Sequence, residues 1–254
     1  MQLWTAAHAK TLPPALLAMI LIGIVLRLWI GKKSLKIRMI PLQIIAVLLV
    51  VLEIGKQYVS FKNGYDLYHI PLHYCSLFIF AVPAMAFYTG KHGAKVRAIG
   101  AGLCAAMAVL LLIYPALIYG EWNIRDFFKG YMDMHTVTFH NLVLFAFVLI
   151  LALDLHKPEG SREQKYPVLA TVVFCVVSAT AANAIAVNFA NFYQCNIPPL
   201  EAIRISLQGT LGVVPTQILY VCIVSVLTVL FTWGAYWLYR LLRKFTAIKT
   251  PVMQ

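Results

Sequence analysis

Apolar residues are grouped along the chain in seven long runs, each near the roughly 20 residues that a helix needs to cross a bilayer. The runs are Leu12–Ile30, Ile40–Val59, Leu72–Thr89, Val96–Tyr119, Thr136–Leu153, Pro167–Ala190 and Pro215–Tyr239. No stretch between them is long enough for a soluble domain. The pattern therefore predicts an all-α, polytopic membrane protein in which residues 1–254 form a single bundle of seven transmembrane helices.

Composition and charge refine this prediction. Only 12% of the residues are charged, about half the fraction in a typical soluble domain. Basic residues follow every second run: Lys32, Lys33, Lys36 and Arg38; Lys91, Lys95 and Arg97; Lys157, Arg162 and Lys165; and Arg240, Arg243, Lys244 and Lys249. By the positive-inside rule, the amino terminus is outside and the carboxyl terminus is cytoplasmic. The net charge of +12 is thus a topology signal, and we expect membrane lipids as partners and no nucleic acid.

With this topology, the polar residues of four runs fall at one depth, near the outer face. They are Glu53, Lys56 and Gln57; His73, Cys75 and Ser76; His135, Thr136, His140 and Asn141; and Asn183 and Asn188. Each has a local explanation: Glu53 can pair with Lys56 or Gln57 one turn away, and an asparagine can bond across helices. Their shared depth nevertheless predicts a site open to the outer side.

Cys75 is the nucleophile that this layer offers. Pro71 suits the first position of a helix, which would place Cys75 about one turn in, where the helix dipole favours a thiolate and apolar burial opposes it. His140 on a facing helix is a better base than His73, because residues two apart on one helix point to different sides. A thiol, a base and free N–H groups predict acyl transfer through a thioester, with Glu53, Asn183 or Asn188 orienting the imidazole.

These residues also carry a family resemblance. The segment from Pro71 to Leu77, the pair His140-Asn141 and the asparagine-rich stretch from Asn183 to Tyr193 resemble the bacterial YwaF-like integral membrane proteins, which are related to the eukaryotic transmembrane protein 164, a lipid acyltransferase. The resemblance implies a bacterial cell-membrane enzyme that moves fatty acyl chains between phospholipids and lysophospholipids. Cys75 would carry the acyl group and His140 would be the base, without cofactor or metal. The stretch from Asn188 to Tyr193 departs from the family's tighter Gly-Asn-Tyr arrangement.

Other interpretations remain open. A zinc-dependent lipid hydrolase could draw ligands from His69, His73, Cys75, His135 and His140. A transporter or receptor could bind a small ligand in the polar layer, although no repeated halves are evident. A Cys75–Cys195 disulfide would give the cysteine a structural role. Finally, the outer loops 120–135 and 191–214 could form short interfacial helices over the site, the second with apolar residues at helical spacing.

Overall fold

The protein is helical, and its long helices follow the predicted runs. A computed structural model describes residues 3–119, 127, 129–158 and 160–248. The helices are α1 Ala6–Ile30, α2 Leu35–Lys62, α3 Phe78–Phe87, α4 Gly93–Ile113, α5 Pro115–Tyr119, α6 Tyr131–Ala152, α7 Lys165–Ala184, α8 Pro198–Leu211 and α9 Val213–Thr246. Short 3-10 turns occupy Leu67–His69, Tyr74–Leu77, Ser161–Gln164 and Phe189–Asn191. No strand occurs among the residues that the structure describes.

Among the residues that the structure describes, six helices are long and apolar enough to cross a membrane: α1, α2, α4, α6, α7 with the turn before it, and α9. The run Leu72–Thr89 differs from its prediction as a full span. It forms a four-residue 3-10 turn and the ten-residue α3, together about 23 Å long, which is shorter than the roughly 30 Å hydrocarbon core. The chain approaches this helix as a loop, because residues up to His73 adopt extended or turn conformations.

One end of the bundle collects the basic residues, and we call it the basic end. Arg27 of α1 donates to the carbonyls of Ala152 and Thr246 at the ends of α6 and α9. Arg38 of α2 donates to the carbonyl of Leu153 at 2.6 Å, and Arg243 of α9 pairs with Asp154. The helix ends that the charge pattern places on one side of the membrane are therefore adjacent in the structure. We call the opposite end the site end.

Two other helix boundaries differ from their predictions. The fourth run breaks at Tyr114, because the following proline disfavours a helical residue before it, and α5 continues as a separate short helix. The sixth run ends at Ala184 instead of Ala190, and Ala186 has a left-handed backbone with φ of 55°. Asn188 consequently lies in a loop beyond the helix.

The core is centred on α4, whose residues from Ala98 to Met107 are almost all buried. Small residues on α4 allow its neighbours to approach closely. At Gly102 a Cβ would lie 2.5 Å from Pro167 of α7 and 3.0 Å from Tyr236 of α9. This close packing brings α7 and α9 together around α4 and leaves space for a cavity nearer the site end.

One of the two predicted loop helices is confirmed. It is α8, within loop 191–214, and none of its residues is buried. Its apolar residues Leu200, Ile203, Leu207 and Leu211 are exposed at helical spacing. In the other loop, residues 120–126 and 128 lie outside the described residues, so the helix predicted there is not addressed by the structure.

Candidate functional site: a cavity between the loops and the bundle

A cavity of about 570 Å³ lies at the site end. Its wall contains five of the predicted site residues: Cys75, His140, His73, Glu53 and Asn188. Asn141 and Asn183 are not among the lining residues. Apolar side chains form much of the remaining wall, namely Met107, Leu110, Phe139, Phe174, Leu227 and Phe231. The cavity therefore combines a small polar group with a larger apolar surface, as sites for amphiphilic molecules do.

Cys75 lies at the start of the third helical segment, but not in the way that Pro71 suggested. The helix begins later, with His73 as the capping residue and Tyr74–Leu77 as a 3-10 turn, so Pro71 is not its first residue. The N–H of Ser76 donates to the His73 carbonyl at 2.9 Å. Cys75 is thus in the first turn, where N–H groups have no preceding carbonyl within the helix.

Helix geometry places Cys75 level with the polar residues of α2. Gln43 of α2 donates to the carbonyl of Ala86 in α3 at 3.1 Å, so these two residues mark a common level. Counting from there along each helix, Cys75 is about 18 Å toward the site end, while Glu53 and Lys56 are about 15 and 20 Å along α2. The coincidence of depth predicted from the sequence therefore holds for these residues.

One ring nitrogen of His140 is hydrogen-bonded to the backbone, and the other can accept a proton. Its Nδ1 lies 2.6 Å from the Thr136 carbonyl oxygen, one turn earlier in α6. Because a carbonyl only accepts, Nδ1 carries the proton and Nε2 has the lone pair. No residue in the described part of the chain bonds to that Nε2. The rings of Tyr119 and Phe139 contact the imidazole edge to face, with centroids 5.9 and 5.7 Å away.

The group that orients His140 is therefore the backbone carbonyl of Thr136, and not one of the side chains predicted for this role. Thr136 and His140 are four residues apart, and this spacing within a helix was the signal in the sequence that could have indicated the contact. Glu53, one of the predicted orienting residues, contacts the other imidazole of α6: its carboxylate lies 3.5 Å from His135 Nε2.

Glu53 is buried, with 7% of its surface exposed, and has three partners. Lys56 Nζ lies 2.8 Å from its carboxylate and Gln57 Nε2 donates to it at 2.7 Å, so both local pairs proposed from the sequence form. His135 supplies the third contact. Gln57 also donates to the His69 carbonyl at 2.7 Å, which ties α2 to the loop before Cys75. Such multiple pairing reduces the free-energy penalty of a carboxylate at this depth.

His73 holds two loops together through both ring nitrogens. Nε2 donates to the Tyr68 carbonyl at 2.9 Å, and Nδ1 accepts from the Ala190 N–H at 3.5 Å. Ala190 and Asn191 both have left-handed backbones, with φ of 48° and 65°. His73 thus positions the segment that leads into Cys75.

The predicted asparagines have different environments. Asn183 accepts a hydrogen bond from Gln217 of α9 at 2.8 Å, a bond across helices. Asn188 accepts from the N–H of Tyr193 at 3.2 Å and so closes the loop after α7. The Asn141 side-chain oxygen is buried and has no hydrogen-bond partner among the described residues. Asn188 is the one of the three that reaches the cavity.

The geometry does not favour the zinc site or the Cys75–Cys195 disulfide. Within the described ranges, no group of three or more His, Cys, Asp or Glu side chains is arranged to hold a metal ion. His69, one of the candidate zinc ligands, has its Nδ1 bonded to the Ser60 hydroxyl at 2.7 Å. All five cysteines are free, so Cys75 and Cys195 do not form the disulfide considered above.

Comparison with known proteins gives one finding. A model described as the TMEM164 family matches residues 3–236, which include every helix described above except the last turns of α9. No curated protein and no solved structure matches the chain.

Proposed function

Because the chain belongs to the TMEM164 family of membrane proteins, we propose that it is a lipid acyltransferase that moves fatty acyl chains between phospholipids and lysophospholipids. Cys75 is the nucleophile and His140 the base. The observation that carries the proposal is that both residues line one cavity while the Thr136 carbonyl leaves His140 Nε2 free to accept a proton.

The reaction proceeds in two balanced steps. Cys75 Sγ attacks the ester carbonyl of a phospholipid as His140 Nε2 takes the thiol proton. The C–O bond then breaks, and the proton passes to the departing lysophospholipid oxygen, which leaves a thioester on Cys75. In the second step, the hydroxyl of another lysophospholipid gives its proton to His140 and attacks the thioester. The C–S bond breaks and the thiol regains its proton.

The apolar wall supports a lipid substrate. Leu227 of α9 lines the cavity and is also 61% exposed on the outside of the bundle. The cavity therefore extends to the lipid-facing surface, and an acyl chain can project past Leu227 into the bilayer. With the basic end in the cytoplasm and the amino terminus outside, the cavity receives lipids of the outer leaflet.

Mass spectrometry of the intact protein, extracted from membranes with its lipids, tests the thioester. We expect a fatty-acyl adduct that neutral hydroxylamine releases and that Cys75→Ala abolishes. Cys222→Ala is the matched control, because Cys222 is an exposed cysteine on α9 outside the cavity. His140→Ala lowers acyl transfer between supplied phospholipids and lysophospholipids by about 10²–10⁴-fold, as expected for loss of a general base.

Two results would refute the proposal. One is wild-type protein that never carries an adduct and exchanges no acyl chains in phospholipid vesicles. The other is transfer that persists unchanged in Cys75→Ala. Bound zinc that is lost together with activity in His140→Ala would instead favour the hydrolase, and solute flux into vesicles that survives Cys75→Ala would favour a transporter.

A further inference from the structure

We infer that Lys56 binds the phosphate group of the lipid substrate and thereby selects phospholipids over neutral glycerides. The inference rests on the proposed function and assigns the headgroup end of the same cavity. It is based on the charged residues of the cavity wall. Over the described residues, Lys56 is the only lysine or arginine that lines the cavity, and Glu53 is the only aspartate or glutamate.

Lys56 is close to the reacting groups. Its side chain is only 12% exposed, and it lines the same cavity as Cys75, His73 and His140. It is also within about 2 Å of the level of Cys75 along the bundle. In a glycerophospholipid, the phosphate and the ester carbonyls are joined by the short glycerol unit. When Cys75 attacks an ester carbonyl, the phosphate of the same lipid must therefore lie nearby. Lys56 supplies a positive charge at that position.

The pairing of Glu53 makes Lys56 available to a ligand. Within the cavity, Lys56 has the Glu53 carboxylate as its partner at 2.8 Å. Glu53 has two further partners, Gln57 at 2.7 Å and His135 at 3.5 Å. When an anionic phosphate enters, Lys56 can turn to it while Gln57 continues to donate to the carboxylate, which His135 still contacts. A lysine ammonium on a flexible stem suits this exchange, since it binds phosphate as a point charge.

The surroundings of Lys56 match the polarity of a phospholipid. Besides Lys56, the polar part of the cavity wall includes the loop residues Tyr68, His69, Asn188 and Asn196. The apolar residues of α7 and α9 form the wall elsewhere. The lipid therefore has its headgroup beside the loops, its ester near Cys75 and its chains against the apolar wall.

The test compares lipids with and without phosphate, using protein that binds but does not react. In a Cys75→Ala background, binding of palmitoyl-oleoyl phosphatidylcholine is measured against binding of palmitoyl-oleoyl glycerol, which has the same chains and no phosphate. We expect Lys56→Met to weaken phosphatidylcholine binding about tenfold or more and to leave diacylglycerol binding unchanged. Lys56→Arg retains most of the affinity. Lys62→Met is the matched control, because Lys62 is exposed at the end of the same helix.

Other outcomes overturn the inference. If Lys56→Met weakens the binding of both lipids equally, or of neither, then Lys56 supports the fold or pairs with Glu53 and does not bind the phosphate. A shift in the pH profile of Cys75 alkylation by iodoacetamide in Lys56→Met protein, with unchanged phospholipid binding, means that Lys56 acts on the thiol instead. If acyl transfer is never found but phosphatidylcholine binding depends on Lys56, the proposed function fails and the headgroup assignment stands.

Discussion

The Glu53→Gln substitution leaves the Lys56 ammonium inside the bundle without its carboxylate. Glutamine keeps the size of the side chain and can still meet Gln57 and His135, so the change is electrostatic and not one of packing. Lys56→Met is the complementary change. It removes the cation but leaves Glu53 with two of its three partners. The structure therefore predicts that the two substitutions differ in their effects on stability.

The magnitudes follow from burial. Removing one partner of a buried ion pair destabilises a protein by roughly 3–5 kcal/mol. The Lys56 side chain retains 12% exposure, so about 3 kcal/mol is expected for Glu53→Gln. For Lys56→Met, loss of one charge-assisted bond to a carboxylate that Gln57 still bonds corresponds to about 1–2 kcal/mol. In the double variant neither charge remains, so we expect a cost near 1 kcal/mol and a coupling of about 3–4 kcal/mol.

Thermal unfolding of the four proteins in lipid nanodiscs, followed by tryptophan fluorescence, measures these differences. At roughly 2–4 °C per kcal/mol, Glu53→Gln lowers Tm by about 6–12 °C and the double variant recovers most of that loss. Equal destabilisation by the two single variants would contradict the unequal pairing described above. Additive effects in the double variant would show that Glu53 and Lys56 do not stabilise each other.

Three further predictions concern other parts of the molecule. At Gly55 a Cβ would overlap the Tyr131 side chain, so Gly55→Ala destabilises the protein by about 1–3 kcal/mol, and adding Tyr131→Ala restores most of the loss in the same unfolding assay. Leu227→Trp narrows the lipid-facing opening and lowers acyl transfer, while Cys75 keeps its reactivity toward iodoacetamide; unchanged transfer would argue against lateral entry. The Arg204 guanidinium holds the pKa of Glu201 below its ordinary value, so the pair stabilises α8 at neutral pH and this is lost as the pH falls through the lowered pKa. The hydrogen-exchange protection factors of the α8 amides therefore fall at acid pH in the wild type and already at neutral pH in Arg204→Gln.

The helices and their order could be predicted from the sequence because crossing a bilayer requires long apolar runs. The alternation of basic residues also predicted which helix ends lie together, and Arg27 and Arg38 bond across those ends. The length of the third helix could not be predicted in this way. Hydropathy reports apolar content, whereas the start of α3 depends on the conformation of the residues that follow Pro71.

For the candidate site, the sequence predicted the depth of its residues in the membrane but not most of their contacts. Cys75, His140 and Glu53 were placed in one layer, and all three line the cavity. Their partners on other helices were not predictable, because the choice of such a partner depends on helix rotation. Glu53 meets His135, which is one turn and a fraction from His140 on α6, and a rotation of α6 would exchange the two. The bond from His140 to Thr136 is within a helix and was accessible from spacing alone.

The short third helix explains how a thiol reaches membrane depth. Measured along α2 from the level of Gln43, Lys62 lies about 29 Å toward the site end, whereas Tyr74 lies only about 20 Å along α3. The chain therefore descends about 9 Å as an irregular segment between them. Irregular backbone at such depth is stable only where protein groups replace water.

Side chains of the bundle supply those bonds to the descending segment. Gln57 donates to the His69 carbonyl at 2.7 Å, and Ser178 of α7 donates to the Leu72 carbonyl at 2.9 Å. His73 bonds to the Tyr68 carbonyl within the segment itself. A membrane protein that needed Cys75 only for packing could have placed it on a continuous helix without these contacts. These contacts fix the segment just before Cys75 on the wall of the cavity, which is the position that the proposed acyl transfer requires.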